Sequence, residues 1–190
     1  MSADPRPPAE IGPTSGPVAA RIGAALLLRR DFYDRAAADT AATGPAGAIV
    51  SLVALARESV VIYEISQVWP NWAIILPILV VLALIAWLTI GGTGWLVTRI
   101  IVTPPSFSRV LRCVGFAQTP TMLLATLASA SDWRVYAAAG AVMMMWIFAA
   151  NVVAMRAAAE TTTGRALLLA VPVFLVQLAS LGLSRIALLC

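Results

Sequence analysis

The sequence contains no histidine and no lysine, and only two cysteines, Cys113 and Cys190. Each absence removes chemistry. Without imidazole there is no histidine-ligated haem, no His-bearing zinc site, no Ser-His-Asp triad and no imidazole proton relay. Two cysteines so far apart form no CxxC redox or metal motif. Neither a GxGxxG fingerprint nor a P-loop is present. Charge is scarce as well, at 12% of residues, and the thirteen basic residues are all arginine. They are spread between apolar runs rather than gathered on one face, so the net charge of +4 points to lipid headgroups and not to nucleic acid. The expectation is a protein that is not an enzyme, uses no cofactor or metal, and meets membrane lipids.

What is abundant is apolar. Hydrophobic residues make up 61% of the 190 residues, and the mean hydropathy is +0.90. Soluble domains are only about half apolar, so the natural reading is one all-α integral membrane domain. The arginine-only, alanine-rich composition fits a GC-rich bacterial genome and a multi-pass protein of the bacterial cytoplasmic (inner) membrane.

Residues 1–17 are rich in Pro, Gly, Ser and Ala with no apolar run and read as a disordered tail. They lack the pattern of a signal peptide. Residues 18–42 read as an amphipathic helix lying at the membrane surface, with Arg21, Arg29, Arg30 and Arg35 as headgroup anchors and Phe32 and Tyr33 at the interface. A helix packed on the protein's own cytoplasmic loops is the competing reading.

Residues 43–190 carry five apolar stretches of spanning length, about 44–63, 72–97, 113–130, 134–155 and 166–188. The first contains the adjacent charges Arg57 and Glu58, each of which costs about 2.5–3.5 kcal/mol at mid-bilayer. Snorkelling toward the interface is the ordinary reading of such a pair, and an ion path the sharper one. The second span is free of charge and ends in Gly91-Gly92-Thr93-Gly94, which reads as close helix packing or a bend and not as a phosphate loop. The third is broken by Pro120, whose missing N–H frees the Phe116 carbonyl. Thr119 and Thr121 are placed to satisfy the exposed backbone. The Met143-Met144-Met145-Trp146 run in the fourth span reads as adaptable bundle packing.

Arginine placement sets an orientation. Arg6, Arg21, Arg29, Arg30 and Arg35 precede the first span, and Arg99, Arg109, Arg112, Arg156 and Arg165 follow the second and fourth. Only Arg134 and Arg185 lie near the opposite surface. The positive-inside rule puts the N-terminus in the cytoplasm and, with five spans, the C-terminus outside. Cys113 and Cys190 then sit at opposite faces, about 30 Å apart, too far for a disulfide. Counted from the inner ends of their spans, Gln118, Asn151 and Gly91–Gly94 share one layer of the inner leaflet, just above Arg112, Arg156 and Arg165. Two readings follow: a lipid phosphate held by the arginines with its glycerol region on the amides, or amides that bond between helices.

The stretch from Arg109 to Ala166 also resembles the core of the Yip (Ypt-interacting protein) family of five-pass membrane proteins, in its bacterial branch. The residues that carry the likeness are Arg112, the Gly115-Phe116-Ala117-Gln118 step before Pro120, Trp146, Arg156 and Arg165-Ala166, within a match running from Gly44 to Leu189. Where family members often have a proline near residue 30, this chain has Arg30-Asp31. The resemblance implies five passes and a non-enzymatic role. Eukaryotic members are associated with trafficking and small GTPases, a partner that does not carry over to a bacterium. The expectation is an organising or accessory subunit of a larger membrane complex. The alternative is a small transporter or lipid-moving protein, although no inverted repeat accompanies it.

Overall fold

The computed structural model describes residues 18–68, 72–102, 105–123 and 133–189. The expected tail over 1–17, the outer half of the third span (124–130), Trp69, Pro104, Cys190 and the side chains of Glu58, Trp72 and Arg185 lie outside the described residues. Those described form seven α-helices: α1 (Val18–Leu26), α2 (Arg30–Ala38), α3 (Thr43–Val68), α4 (Trp72–Ile101), α5 (Phe107–Ala117), α6 (Trp133–Ala159) and α7 (Thr163–Leu189), with 3-10 turns at Thr40–Ala42 and Thr119–Leu123. Among the described residues, four helices carry stretches long and apolar enough to cross a membrane: Thr40–Arg57, Ile74–Ile101, Ala137–Ala159 and Thr163–Leu181.

The segment 18–42, expected as one surface helix, is two helices and a 3-10 turn. The chain breaks at Leu28, which adopts a left-handed conformation (φ 52). The amide of Arg29 donates to Ala24 O and that of Leu28 to Ala25 O, the bond pair of a Schellman cap with leucine where glycine is usual. At the other end of α2, the Asp39 carboxylate accepts from the Ala41 amide at 2.9 Å and starts the 3-10 turn into α3. Phe32 and Tyr33 are buried, not interfacial. The reason is packing: Phe32 meets Phe116 edge-on at 4.9 Å, and the Tyr33 hydroxyl donates to Ala25 O. α2 packs against the helices α5 and α6, whereas the competing expectation places it on the protein's own cytoplasmic loops.

α5 is the hub. It packs against α2, α3, α4 and α6, and every residue from Leu111 to Thr121 is buried. Its start at Phe107 corrects one expectation: Arg109 and Arg112 lie on the helix and not in a loop before it. The α-helix then ends at Ala117 because Pro120 cannot donate to Phe116 O. The Thr119 hydroxyl takes that carbonyl at 2.6 Å, and the Thr121 hydroxyl takes Gln118 O at 2.6 Å. The break is thus closed by its own threonines.

Small residues let α4 approach closely. A Cβ on Gly91 would lie 2.6 Å from Leu111 Cδ1, and one on Gly94 within 3.3 Å of Val110, Met155 and Val173. Gly92 faces open space. On the outside, α4 exposes Ile74, Ile78, Val81, Leu82, Ile85, Leu88, Leu96 and Ile100, an apolar skin suited to lipid.

Candidate functional site

Three amides meet in the bundle interior. Asn151 Nδ2, on α6, donates to Gln177 Oε1 on α7 at 2.7 Å and to Ile147 O one turn earlier in its own helix at 3.0 Å. Gln177 Nε2 donates in turn to Gln118 Oε1, at the end of α5, at 2.8 Å. All three residues are buried. The chain therefore pins α5, α6 and α7 at one level. Each such bond is worth about 0.6 kcal/mol on average in a membrane, but its geometry fixes helix rotation and register. Two atoms of the layer, Gln118 Nε2 and Asn151 Oδ1, have no hydrogen-bond partner among the described residues.

On the side of this layer toward the start of α5, Arg112 is buried and reaches across to α2. Its Nε donates to Ala36 O at 3.0 Å and its Nη2 to Ala37 O at 2.7 Å; Nη1 reaches Thr43 Oγ1 at 3.4 Å. The last carbonyls of a helix lack partners within it and carry partial negative charge. A cationic fork placed there caps α2 from outside its own sequence. Arg112 makes contacts between helices and presents no face to a headgroup. Below it, Arg109 bonds to Glu160 and, at 3.2 Å, to Ala157 O, tying the start of α5 to the end of α6. Glu160 itself is left-handed (φ 48), and the Thr161 amide closes on Arg156 O.

The remaining residues singled out from the sequence fall as follows. Pro120 is buried in the 3-10 turn beside the amide layer. Arg156 is half-buried on the last turns of α6, with its Nε unpaired among the described residues. Arg165 is exposed at the start of α7. Arg57 is half-buried in α3, at the edge of that helix's apolar stretch. Gln118 and Asn151 come together only through Gln177, a residue of the fifth apolar stretch that the count from the inner ends of the third and fourth does not reach. Two tryptophans extend the pattern of side chains that hold backbone: Trp87 Nε1 donates to Leu111 O at 2.9 Å, and Trp146 Nε1 to Leu26 O at 3.0 Å.

Residues 24–184 match the family model of the Yip1 domain. The chain belongs to the Yip1 domain family. The match takes in α2 and the whole amide layer, as well as Arg112 and both tryptophans. No curated protein and no solved structure matched the chain. A Yip1 domain protein with these apolar helices is a membrane protein, and the layer described above is the interior of its helical bundle.

Proposed function

We propose that this Yip1 domain protein is a non-enzymatic organiser, an accessory subunit that binds other integral membrane proteins or lipids in a larger complex. The observation that carries this reading is where its polar groups are used. Arg112, Trp87, Trp146, Asn151 and Gln177 all have donors committed to the chain's own carbonyls or amides. What α4, α6 and α7 offer outward is apolar helix surface. Lipid contact at the inner end falls to Arg156 and the exposed Arg165.

We read the protein as five-pass, with the N-terminus cytoplasmic and the fifth crossing supplied by α5 and the residues that follow it. The arginine distribution and the four apolar helices support that reading. The bacterial cytoplasmic membrane is the location the composition supports.

A second reading, a small transporter or lipid-moving protein, draws on Pro77 and Pro172 inside helices and on the two unpaired amide atoms of the layer. Cross-linking in native membranes followed by affinity purification tests the first reading. The expected result is one membrane protein recovered in stoichiometric amount. Recovery of many unrelated membrane proteins in trace amounts would count against it.

A further inference from the structure

The depth of α2 is set by three sets of contacts. α2 runs alongside α5 in the opposite direction, with Ala36 and Ala37 against Arg112, Tyr33 O against Cys113 Sγ, and Phe32 against Phe116. α5 at this level is locked to the middle of α4, through Trp87 on Leu111 O and the close approach of Gly91 to Leu111. Just beyond the other end of α2, Leu26 O accepts from Trp146, in the middle of α6. Trp146 lies about 20 Å along α6 from its inner end at Ala159, and Gly91 about 15 Å along α4 from Ile101, at 1.5 Å per residue.

Both helices present apolar side chains outward through this range. α4 exposes Ile85 and Leu88 at the level of Trp87 and Ile100 nearer the inner end, and α6 exposes Val142 and Met145 beside Trp146. The outward face of α2 is different. The i, i+4 spacing that buries Phe32, Tyr33, Ala36 and Ala37 turns Arg29, Arg30, Asp31, Asp34 and Arg35 away from the bundle. Their side chains are 50–64% exposed, although Arg30 pairs with Asp34 at 3.5 Å and Asp31 is shared between Arg35 at 3.1 Å and Arg29 at 3.9 Å. Three arginines and two aspartates thus face outward at a depth where neighbouring helices expose Ile, Leu, Val and Met. Five such groups in hydrocarbon, with one positive charge in excess, would cost an amount comparable with the whole stability of a domain.

We infer that α2 lines a hydrated crevice in the inner-leaflet half of the protein, open toward the arginine-rich end, in which water and lipid headgroups reach the level of Trp146. The crevice gives this protein a charged surface below the lipid plane, where the bilayer is locally thinned against α2. The inference rests on α4 and α6 crossing the bilayer. It does not depend on the number of crossings or on which side the N-terminus lies.

Single cysteines test it in the full chain with both native cysteines replaced (Cys113→Ala, Cys190→Ala). Arg30→Cys and Asp34→Cys report the crevice, Leu88→Cys and Met145→Cys report lipid at the same depth, and Ser106→Cys reports bulk water. A charged, impermeant methanethiosulfonate is added to each side of sealed membrane vesicles. The expected result is modification of both α2 sites from one side, at least about a hundredfold faster than the two lipid sites, because the reagent needs a hydrated thiolate. Agreement between the two α2 sites guards against a local folding defect in either variant. Rates equal to those of Leu88→Cys and Met145→Cys would overturn the crevice. So would protection in native membranes that disappears when the purified chain is placed in lipid discs, since that result assigns the face to a protein partner. Modification from the side opposite to Ser106→Cys would overturn its direction of opening.

Discussion

Arg112 and Ala37 lie seventy-five positions apart in sequence, yet Arg112 Nη2 donates to Ala37 O at 2.7 Å in the buried interior. With the bond to Ala36 O, this contact makes α5 the C-terminal cap of α2. It joins the N-terminal helices to the bundle at the two carbonyls that follow Arg35 O, which the Asp39 amide takes itself.

Replacing Arg112 with alanine should therefore release α2. Two buried carbonyls lose charged donors, and the expected loss is on the order of 2–4 kcal/mol. Lysine should recover only part of it, because a point donor cannot serve both carbonyls as the guanidinium fork does. Thermal unfolding of the purified protein gives the size of the effect. Limited proteolysis between residues 29 and 35 gives its location, and an unchanged cleavage pattern in Arg112→Ala would show that α2 is held by its apolar face alone.

The amide layer makes a claim about coupling. Asn151→Leu and Gln177→Leu each break the bond between them, so their effects should fall short of additive in the double variant. A coupling energy of about 0.5–1.7 kcal/mol is expected, the range for interhelical bonds in membranes. Gln177→Leu should cost more than Asn151→Leu, since it also strips the partner of Gln118. Additive losses in a double-mutant cycle would mean that the bond between Asn151 and Gln177 does not stabilise the bundle.

Part of this layer is legible in the sequence. Counting residues from the inner ends of two spans places Gln118 and Asn151 at one depth, and the Pro120 break with its flanking threonines reads directly from residue chemistry. Gln177 does not, because the same count from Ala166 sets it several residues higher. Only the packing of α7 against its neighbours brings it level, where it bonds both Asn151 and Gln118. Arg112 reads as a headgroup ligand for a similar reason. An arginine at the end of an apolar run usually meets the interface, and no local pattern shows that α2 will present its last carbonyls there. Phe32 and Tyr33 have the composition of interfacial aromatics, and only the third dimension turns them onto Phe116 and Ala25.

Helix packing offers a sharper contrast between glycines. A Cβ at Gly115 would lie 2.9 Å from Trp87 Nε1 and 3.0 Å from Ala46 Cβ, while one at Gly92 or Gly140 meets nothing within 4 Å. Gly115→Ala should cost about 1–3 kcal/mol by overpacking and displace the Trp87 bond to Leu111 O. Gly92→Ala and Gly140→Ala should be neutral or slightly stabilising, as alanine favours helix. Tryptophan fluorescence and melting temperature of the three variants would decide it, and an unaltered Gly115→Ala would show that α4 and α5 are looser than this geometry.

The measurement closest to the central claim is a flux and lipid-scrambling assay on the isolated chain in liposomes. If the buried polar groups serve to hold the bundle and function resides in what the protein assembles with, the purified chain should move neither solutes nor labelled lipid above the rate of empty liposomes. Rapid scrambling or solute flux by the chain alone, abolished by Gln118→Leu in a variant that remains folded, would contradict the organiser reading. It would assign the amide layer to a transport path instead.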